Sequence, residues 1–130
     1  MTDRELINKA AEAMRSAYAP YSHFPVGAAL ECEDGTVVTG CNVENASLGC
    51  TICAERVAIG TAISFGHRKF RRIAIIAEST EYCVPCGTCR QVLSEFSPSM
   101  EVLCAKFDGR YVSYRLSSLL PAAFGKEFLD

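Results

Sequence analysis

Cysteine supplies the most chemically suggestive pattern in this chain, with 8 of them among 130 residues. Cys50-x-x-Cys53 and Cys86-x-x-Cys89 form a C-x₂-C…C-x₂-C pattern, and Cys83 precedes Cys86 at the spacing of a third such pair. Thiolates are soft donors that suit Zn²⁺, and paired cysteines at this spacing are the usual mark of a zinc site. The ligand count decides the chemistry. Four protein ligands close the coordination sphere and make the metal structural, whereas three leave a position for water and make it catalytic.

Two features favour three. The 32 residues between Cys53 and Cys86 hold a helix and a strand, too much for a compact zinc ribbon with its gap of roughly 15–20 residues. The sequence after Cys53 is Ala54-Glu55-Arg56. If Cys53 opens a helix, Glu55 lies about 200° around the axis, at roughly 3.6 residues per turn. That makes it a poor ligand of the same metal but leaves its carboxylate within reach of a metal-bound water. Cys53-Ala54-Glu55 and Pro85-Cys86-Gly87-Thr88-Cys89 match the two halves of the zinc deaminase motif, with Cys in place of His.

Disulfides are the competing use of so many cysteines, and the compartment argues against them. The N-terminal stretch Met-Thr-Asp-Arg-Glu-Leu is charged and lacks the apolar run of a signal peptide, and no window approaches the roughly 20 apolar residues of a membrane helix. A cytoplasmic domain is expected, where clustered cysteines hold metal. A hydrophobic fraction of 49% and a net charge of −2 exclude a disordered chain and a strongly basic nucleic-acid binder. The length suits one domain over residues 1–130.

The elements that position the cysteines follow from periodicity. Residues 3–18 read as an amphipathic helix with a Thr2/Glu5 capping box, stopped by Pro20. Strands over 26–32 and 36–43 flank the Asp34-Gly35 turn, and the small residues Gly27, Ala28 and Ala29 invite close packing. A loop over 44–51 leads to a helix over 53–65, then a buried strand over 73–77 and a loop over 78–85. A helix over 86–96, strands over 102–107 and 111–114 joined by Asp108-Gly109, and a short helix near 117–120 complete the order α-β-β-α-β-α-β-β-α. This is an α/β chain with helices on the faces of a central sheet.

Beyond the zinc motif the chain resembles the small homotetrameric cytidine deaminases. The resemblance rests on Tyr18-Ala19-Pro20-Tyr21-Ser22, Phe24-Pro25-Val26-Gly27-Ala28-Ala29-Leu30 and Gly40-Cys41-Asn42-Val43-Glu44-Asn45-Ala46. It continues through Cys53-Ala54-Glu55-Arg56, Pro85-Cys86-Gly87-Thr88-Cys89-Arg90-Gln91 and Leu119-Leu120-Pro121-Ala122-Ala123-Phe124. It implies a three-layer α/β/α sandwich around a mixed five-stranded sheet. It also implies one Zn²⁺ per subunit on Cys53, Cys86 and Cys89, with activated water attacking C4 of cytosine and Glu55 shuttling the proton. By the same resemblance Asn42 and Glu44 bind the ribose 3′-hydroxyl, Phe24 lines the pocket, and the backbone of Ala54 and Val84 reads the cytosine edge. Phe124 covers the pyrimidine of a neighbouring subunit, so that sites are completed in a homotetramer. Arg56 bonds a ligand sulfur, and Arg90 is assigned by analogy to offset thiolate charge. One departure is Leu48, where family members commonly carry an aromatic residue.

Plainer roles compete at several positions. Cys32, Cys41, Cys50, Cys83 and Cys104 read as small buried or exposed thiols that do not ligate metal. Without the resemblance, Asn42 and Glu44 would form a strand-end turn, and Phe24 and Phe124 could be core residues. His67 to Arg72 reads as a solvated helix end followed by a strand start, and His23 has no partner histidine. The leading function is hydrolytic deamination of free cytidine and deoxycytidine. The alternatives are a related cytosine nucleoside such as blasticidin S, or a structural-zinc interaction module with four thiolate ligands and no turnover. No nucleic-acid or membrane partner is expected.

Overall fold

The computed structural model describes residues 1–129; Asp130, the last residue of the expected domain, lies outside them. Alternation along three central strands sets the architecture. In β1 (Val26–Cys32), β3 (Phe70–Ala77) and β4 (Glu101–Ala105), the residues Ala28, Leu30, Ile73, Ile75, Val102 and Cys104 face one side of the sheet. Their neighbours Ala29, Ala74, Ile76, Leu103 and Ala105 face the other. Strands apolar on both faces must be covered on both. The first side takes α2 (Ala54–Ser64), α3 (Gly87–Phe96) and the short α4 (Leu116–Leu119), through Ala58, Ile59, Ala62, Leu93 and Leu116. The second takes α1 (Asp3–Met14) through Leu6, Ile7 and Ala10.

With β2 (Val37–Cys41) and β5 (Tyr111–Arg115), the sheet has the order β2-β1-β3-β4-β5. Only β3 and β4 run parallel, joined through α3, and every other pair is antiparallel. The mixed five-stranded sheet between two helical layers is the expected fold class.

Two glycines fix how closely the layers approach. A Cβ on Gly27 would lie 2.0 Å from the Ala10 carbonyl oxygen of α1. One on Gly40 would lie 2.6 Å from both the Ala54 oxygen and the Ala58 nitrogen. Both helices therefore seat their backbones directly on a strand, and the second seat lies under the first turn of α2.

Boundaries shift where long-range bonds take over. α1 starts with the expected capping box, Glu5 N donating to Thr2 Oγ1 at 3.1 Å and Thr2 N to Glu5 Oε1 at 3.2 Å. It ends at Met14 rather than at residue 18, because Tyr18 leaves the helix to bridge Val43: its N–H donates to the Asn42 carbonyl and its carbonyl accepts from Glu44 N. β3 begins at Phe70, three residues before the expected strand and inside the His67–Arg72 cluster read as a helix end followed by a strand start. Arg72 is drawn in by Glu31, to which its Nε donates at 2.8 Å, and by Asp3. β4 stops at Ala105, where Lys106 N turns to the Arg110 carbonyl. Among the described residues no helix is long and apolar enough to cross a membrane.

Candidate active site

Two helix N-termini meet at one end of the sheet. Cys53 occupies the N-cap of α2 and Cys86 that of α3, both in extended backbone, and neither side chain caps its own helix. The free amides of each first turn favour negative charge there, which suits thiolates. Cys89, buried one turn into α3, returns to the same point. Its sulfur lies 3.6 Å from that of Cys86, which is 3.9 Å from that of Cys53, and all three ligand atoms fall within 4.8 Å of one another.

Zn–S bonds of about 2.3 Å put tetrahedral sulfurs about 3.8 Å apart, so the cluster fits a zinc ion. Without a cation the cluster favours a single thiolate. Hydrogen bonding from Cys89, aided by Arg56, brings the Cys53 thiol down to about 5, while Cys89 is pushed up by its bond to Cys53 and by burial. Three sulfurs at such separations ionise together only around a cation. Cys50 and Cys83 are not in this group. Cys50 is exposed, and burial pushes the Cys83 thiol up to about 12.

The side chain of Arg56 turns back to the start of its own helix. Its Nη2 donates to the Thr51 carbonyl at 3.1 Å and to Cys53 Sγ at 3.8 Å. Its Nε is buried with no partner among the described residues, which keeps a spare donor in the same guanidinium. Arg90, assigned by analogy to offset thiolate charge, makes its hydrogen bonds elsewhere. Its Nε donates to the Pro85 carbonyl at 2.7 Å and its Nη1 to the Leu119 carbonyl at 2.9 Å. It ties the chain before α3 to the end of α4, and its hydrogen bonds go to carbonyls rather than to sulfur.

Glu55 sits in the first turn of α2 and is 4% exposed. Burial pushes its carboxyl up to about 7, and the neighbouring Cys53 charge pushes the same way. It opens into a cavity of about 390 Å³ lined by Phe24, Asn42, Glu44, Cys53, Ala54, Val84 and Cys86. Expected metal, acid–base and nucleoside-contacting residues thus share one hollow. Phe124 does not line it: it is exposed, stacks on Phe128 at 5.3 Å and is held by Gln91 Nε2 donating to its carbonyl.

Asn42 and Glu44 carry a second burden. Asn42 Oδ1 accepts from Val26 N at 2.9 Å and its Nδ2 donates to the Phe24 carbonyl at 3.0 Å, clamping the segment that carries Phe24. Glu44 Oε1 accepts from Tyr21 N and Ser22 N at 3.0 and 3.1 Å, and Oε2 accepts from the Ser22 hydroxyl. No local turn forms at these residues; both line the cavity while holding a distant segment. Ser22, Thr51 and Cys83 also line the cavity. Cys83 stands out in the sequence only as a non-ligating thiol, and no local pattern distinguishes Ser22 or Thr51; the Asn42 and Glu44 side chains reach back about 20 residues to meet their partners.

The chain matches the family model for the cytidine and deoxycytidylate deaminase zinc-binding region over residues 1–105. It is 45% identical to a cytidine deaminase of Sporosarcina psychrophila, covering 100% of this chain and 96% of that protein. A cytidine deaminase of Halalkalibacterium halodurans is 46% identical, with 98% of each covered. The crystal structure of a cytidine deaminase from Burkholderia pseudomallei superposes with a TM-score of 0.93 at 46% identity, covering 95% of this chain and 100% of that one. A blasticidin-S deaminase of Bacillus cereus is more distant, at 30% identity over 94% of this chain and 91% of that protein. The chain belongs to the cytidine and deoxycytidylate deaminase family and carries that family's zinc-binding region.

Proposed function

We propose that this chain hydrolyses cytidine and deoxycytidine to uridine and deoxyuridine, releasing ammonia. The observation that carries this reading is the buried Glu55 carboxyl opening into the same cavity as the Cys53/Cys86/Cys89 cluster. Zinc held by the three sulfurs supplies the Lewis acidity that makes water nucleophilic at neutral pH.

Glu55 does the proton work. A carboxyl whose affinity for protons is balanced near neutrality takes one from the attacking water and passes it to cytosine N3 as the C4–O bond forms. It then takes the proton of the new C4 hydroxyl and delivers it to the exocyclic nitrogen, the C4–N bond breaks, and ammonia leaves with C4 as a carbonyl. Arg56 offsets the charge of the thiolates by donating to Cys53, and Arg90 holds the start of α3 in register.

Asn42 and Glu44 retain donor and acceptor capacity beyond their loop bonds, enough to bind a ribose hydroxyl at the cavity mouth. Phe24 packs against the nucleoside, and the Ala54 and Val84 backbone reads the base edge. Phe124, outside its own cavity, reaches that of a neighbouring subunit and stacks on the pyrimidine; the working form is a homotetramer acting on small molecules in the cytoplasm.

The test is the loss of absorbance when zinc-loaded protein meets cytidine, deoxycytidine, cytosine, CMP and blasticidin S in parallel. Turnover of the two nucleosides is expected, and its absence with both overturns the reading. Glu55→Gln is expected to keep its zinc and lose at least about 10²–10⁴-fold in kcat, the usual worth of a positioned acid–base group.

A further inference from the structure

A second group of metal-ligating side chains lies away from the site just described, where the β1–β2 hairpin meets the chain leaving α2. Cys32 closes β1, Asp34 heads the hairpin turn and His67 follows the end of α2. One ligand atom from each falls within 4.8 Å of the others. We propose that Cys32, Asp34 and His67 form a second divalent-metal site, of zinc-like preference, that pins the hairpin to the C-terminal end of α2.

The backbone holds all three in place. Cys32 N donates to the Thr36 carbonyl and Gly35 N to the Cys32 carbonyl, which fixes the turn. Gly66, at φ +97°, reverses the chain after α2, and His67 N donates to the Ala62 carbonyl, so the imidazole is carried by a closed helix end. These are local features of two elements that meet only in the folded chain.

Asp34 and His67 already face each other at ion-pair distance, with no hydrogen bond between them. Asp34 uses Oδ1 to accept from Thr36 N at 2.9 Å, leaving Oδ2 directed at His67 Nδ1, 3.9 Å away. That distance is too long for a hydrogen bond. Cys32 is fully buried, the His67 side chain is 22% exposed and that of Asp34 is 61% exposed, so the group has a dry floor and a solvent-facing rim. Arg68, the adjacent cation, is turned away, its Nη1 donating to the carbonyls of Ile63 and His67.

A thiolate, an imidazole and a carboxylate form a mixed S/N/O set that suits Zn²⁺ and Co²⁺ over Mg²⁺ or Ca²⁺. Tetrahedral ligands at zinc bond lengths sit roughly 3.3–3.6 Å apart, so side-chain rotations of about 1 Å close the site. Binding releases the Cys32 thiol proton to solvent, and affinity therefore rises with pH. Three protein ligands leave water as the fourth, but the site lies at the far end of α2 from Glu55 and serves as a clip. The proposal does not depend on the deaminase reading.

The test uses the whole chain already holding one zinc, dialysed against excess Zn²⁺, with bound metal counted by elemental analysis. Two zinc per chain are expected, with a rise in Tm on taking up the second. His67→Ala and Asp34→Asn, both at the rim, are expected to retain one zinc, lose the second and its Tm increment, and deaminate cytidine at the unsubstituted rate. Cys32→Ser should behave likewise if it folds, and the two rim variants decide the matter if it does not. One zinc per chain in the unsubstituted protein overturns the proposal, and so does a second zinc that survives His67→Ala.

Discussion

Gly40→Ala probes the coupling between packing and catalysis. The added methyl would meet the Ala54 oxygen and the Ala58 nitrogen at 2.6 Å, where ordinary van der Waals contact begins near about 3.4 Å. Both obstacles are backbone, so no side chain can turn aside. The first turn of α2 must rise by about 0.8 Å, and that turn carries Ala54 and Glu55 and follows Cys53 directly. Overpacking of this kind costs about 1–3 kcal/mol, or a fall in Tm of several degrees for a chain of this size. The larger effect falls on turnover, because misplacing reacting groups by about 1 Å costs about 10²-fold. Gly27→Ala is the control. Its methyl would meet the Ala10 oxygen of α1 at 2.0 Å, on the opposite face of the sheet. Thermal melts, zinc content and kcat for cytidine on both variants separate the cases. Both should lose stability, and only Gly40→Ala should lose kcat in the protein that remains folded. Unchanged kcat in Gly40→Ala would refute the claim that the β2–α2 seat sets the geometry of Glu55.

Three further perturbations have defined outcomes. Arg72→Ala leaves Glu31, 7% exposed, without its guanidinium partner; the loss of a buried ion-pair partner predicts destabilisation by about 3 kcal/mol, measured by urea unfolding. Glu44 has its carboxyl held below the usual range, first by the Ser22 hydroxyl and then by the backbone amides of Ser22 and Tyr21. A lowered folded-state pKa gives stability that is complete above the unfolded value, about 4.3, and is lost as pH falls through the folded one; Glu44→Gln should flatten that acid limb in melts recorded from pH 6 to pH 3. Phe124→Ala should raise KM more than it lowers kcat. Coexpressed with Glu55→Gln, it should recover activity above either variant alone, whereas failure to complement in a mixed oligomer would contradict completion of the site by a neighbour.

What could be read in the sequence was what short segments encode. Cys53, Glu55, Cys86 and Cys89 are legible because a helix start fixes the direction of each side chain within a turn, and the two starts carry the two halves of one motif. The face assignments of Ala28 against Ala29 and of Ile73 against Ala74 follow from strand alternation alone. The remainder depends on contacts between distant segments. That Arg90 also ties the start of α3 to α4 is not visible until Leu119, 29 residues later, presents a carbonyl to it. Arg72 reads as the end of a basic cluster at a strand start, and its partners Glu31 and Asp3 appear only when distant segments meet. The helix expected to reach residue 18 stops early because Val43 competes for Tyr18.

The position of α1 has a consequence for synthesis. Leu6, Ile7 and Ala10 emerge from the ribosome before β4, yet the surface they cover includes Leu103 and Ala105 of that strand. That strand arrives roughly ninety residues later, about 5–18 seconds at ordinary elongation rates. During that interval the nascent helix carries an apolar stripe with an incomplete docking surface. This helix is thus translated well before its docking surface is complete, and nascent-chain binding by chaperones should concentrate on residues 3–14.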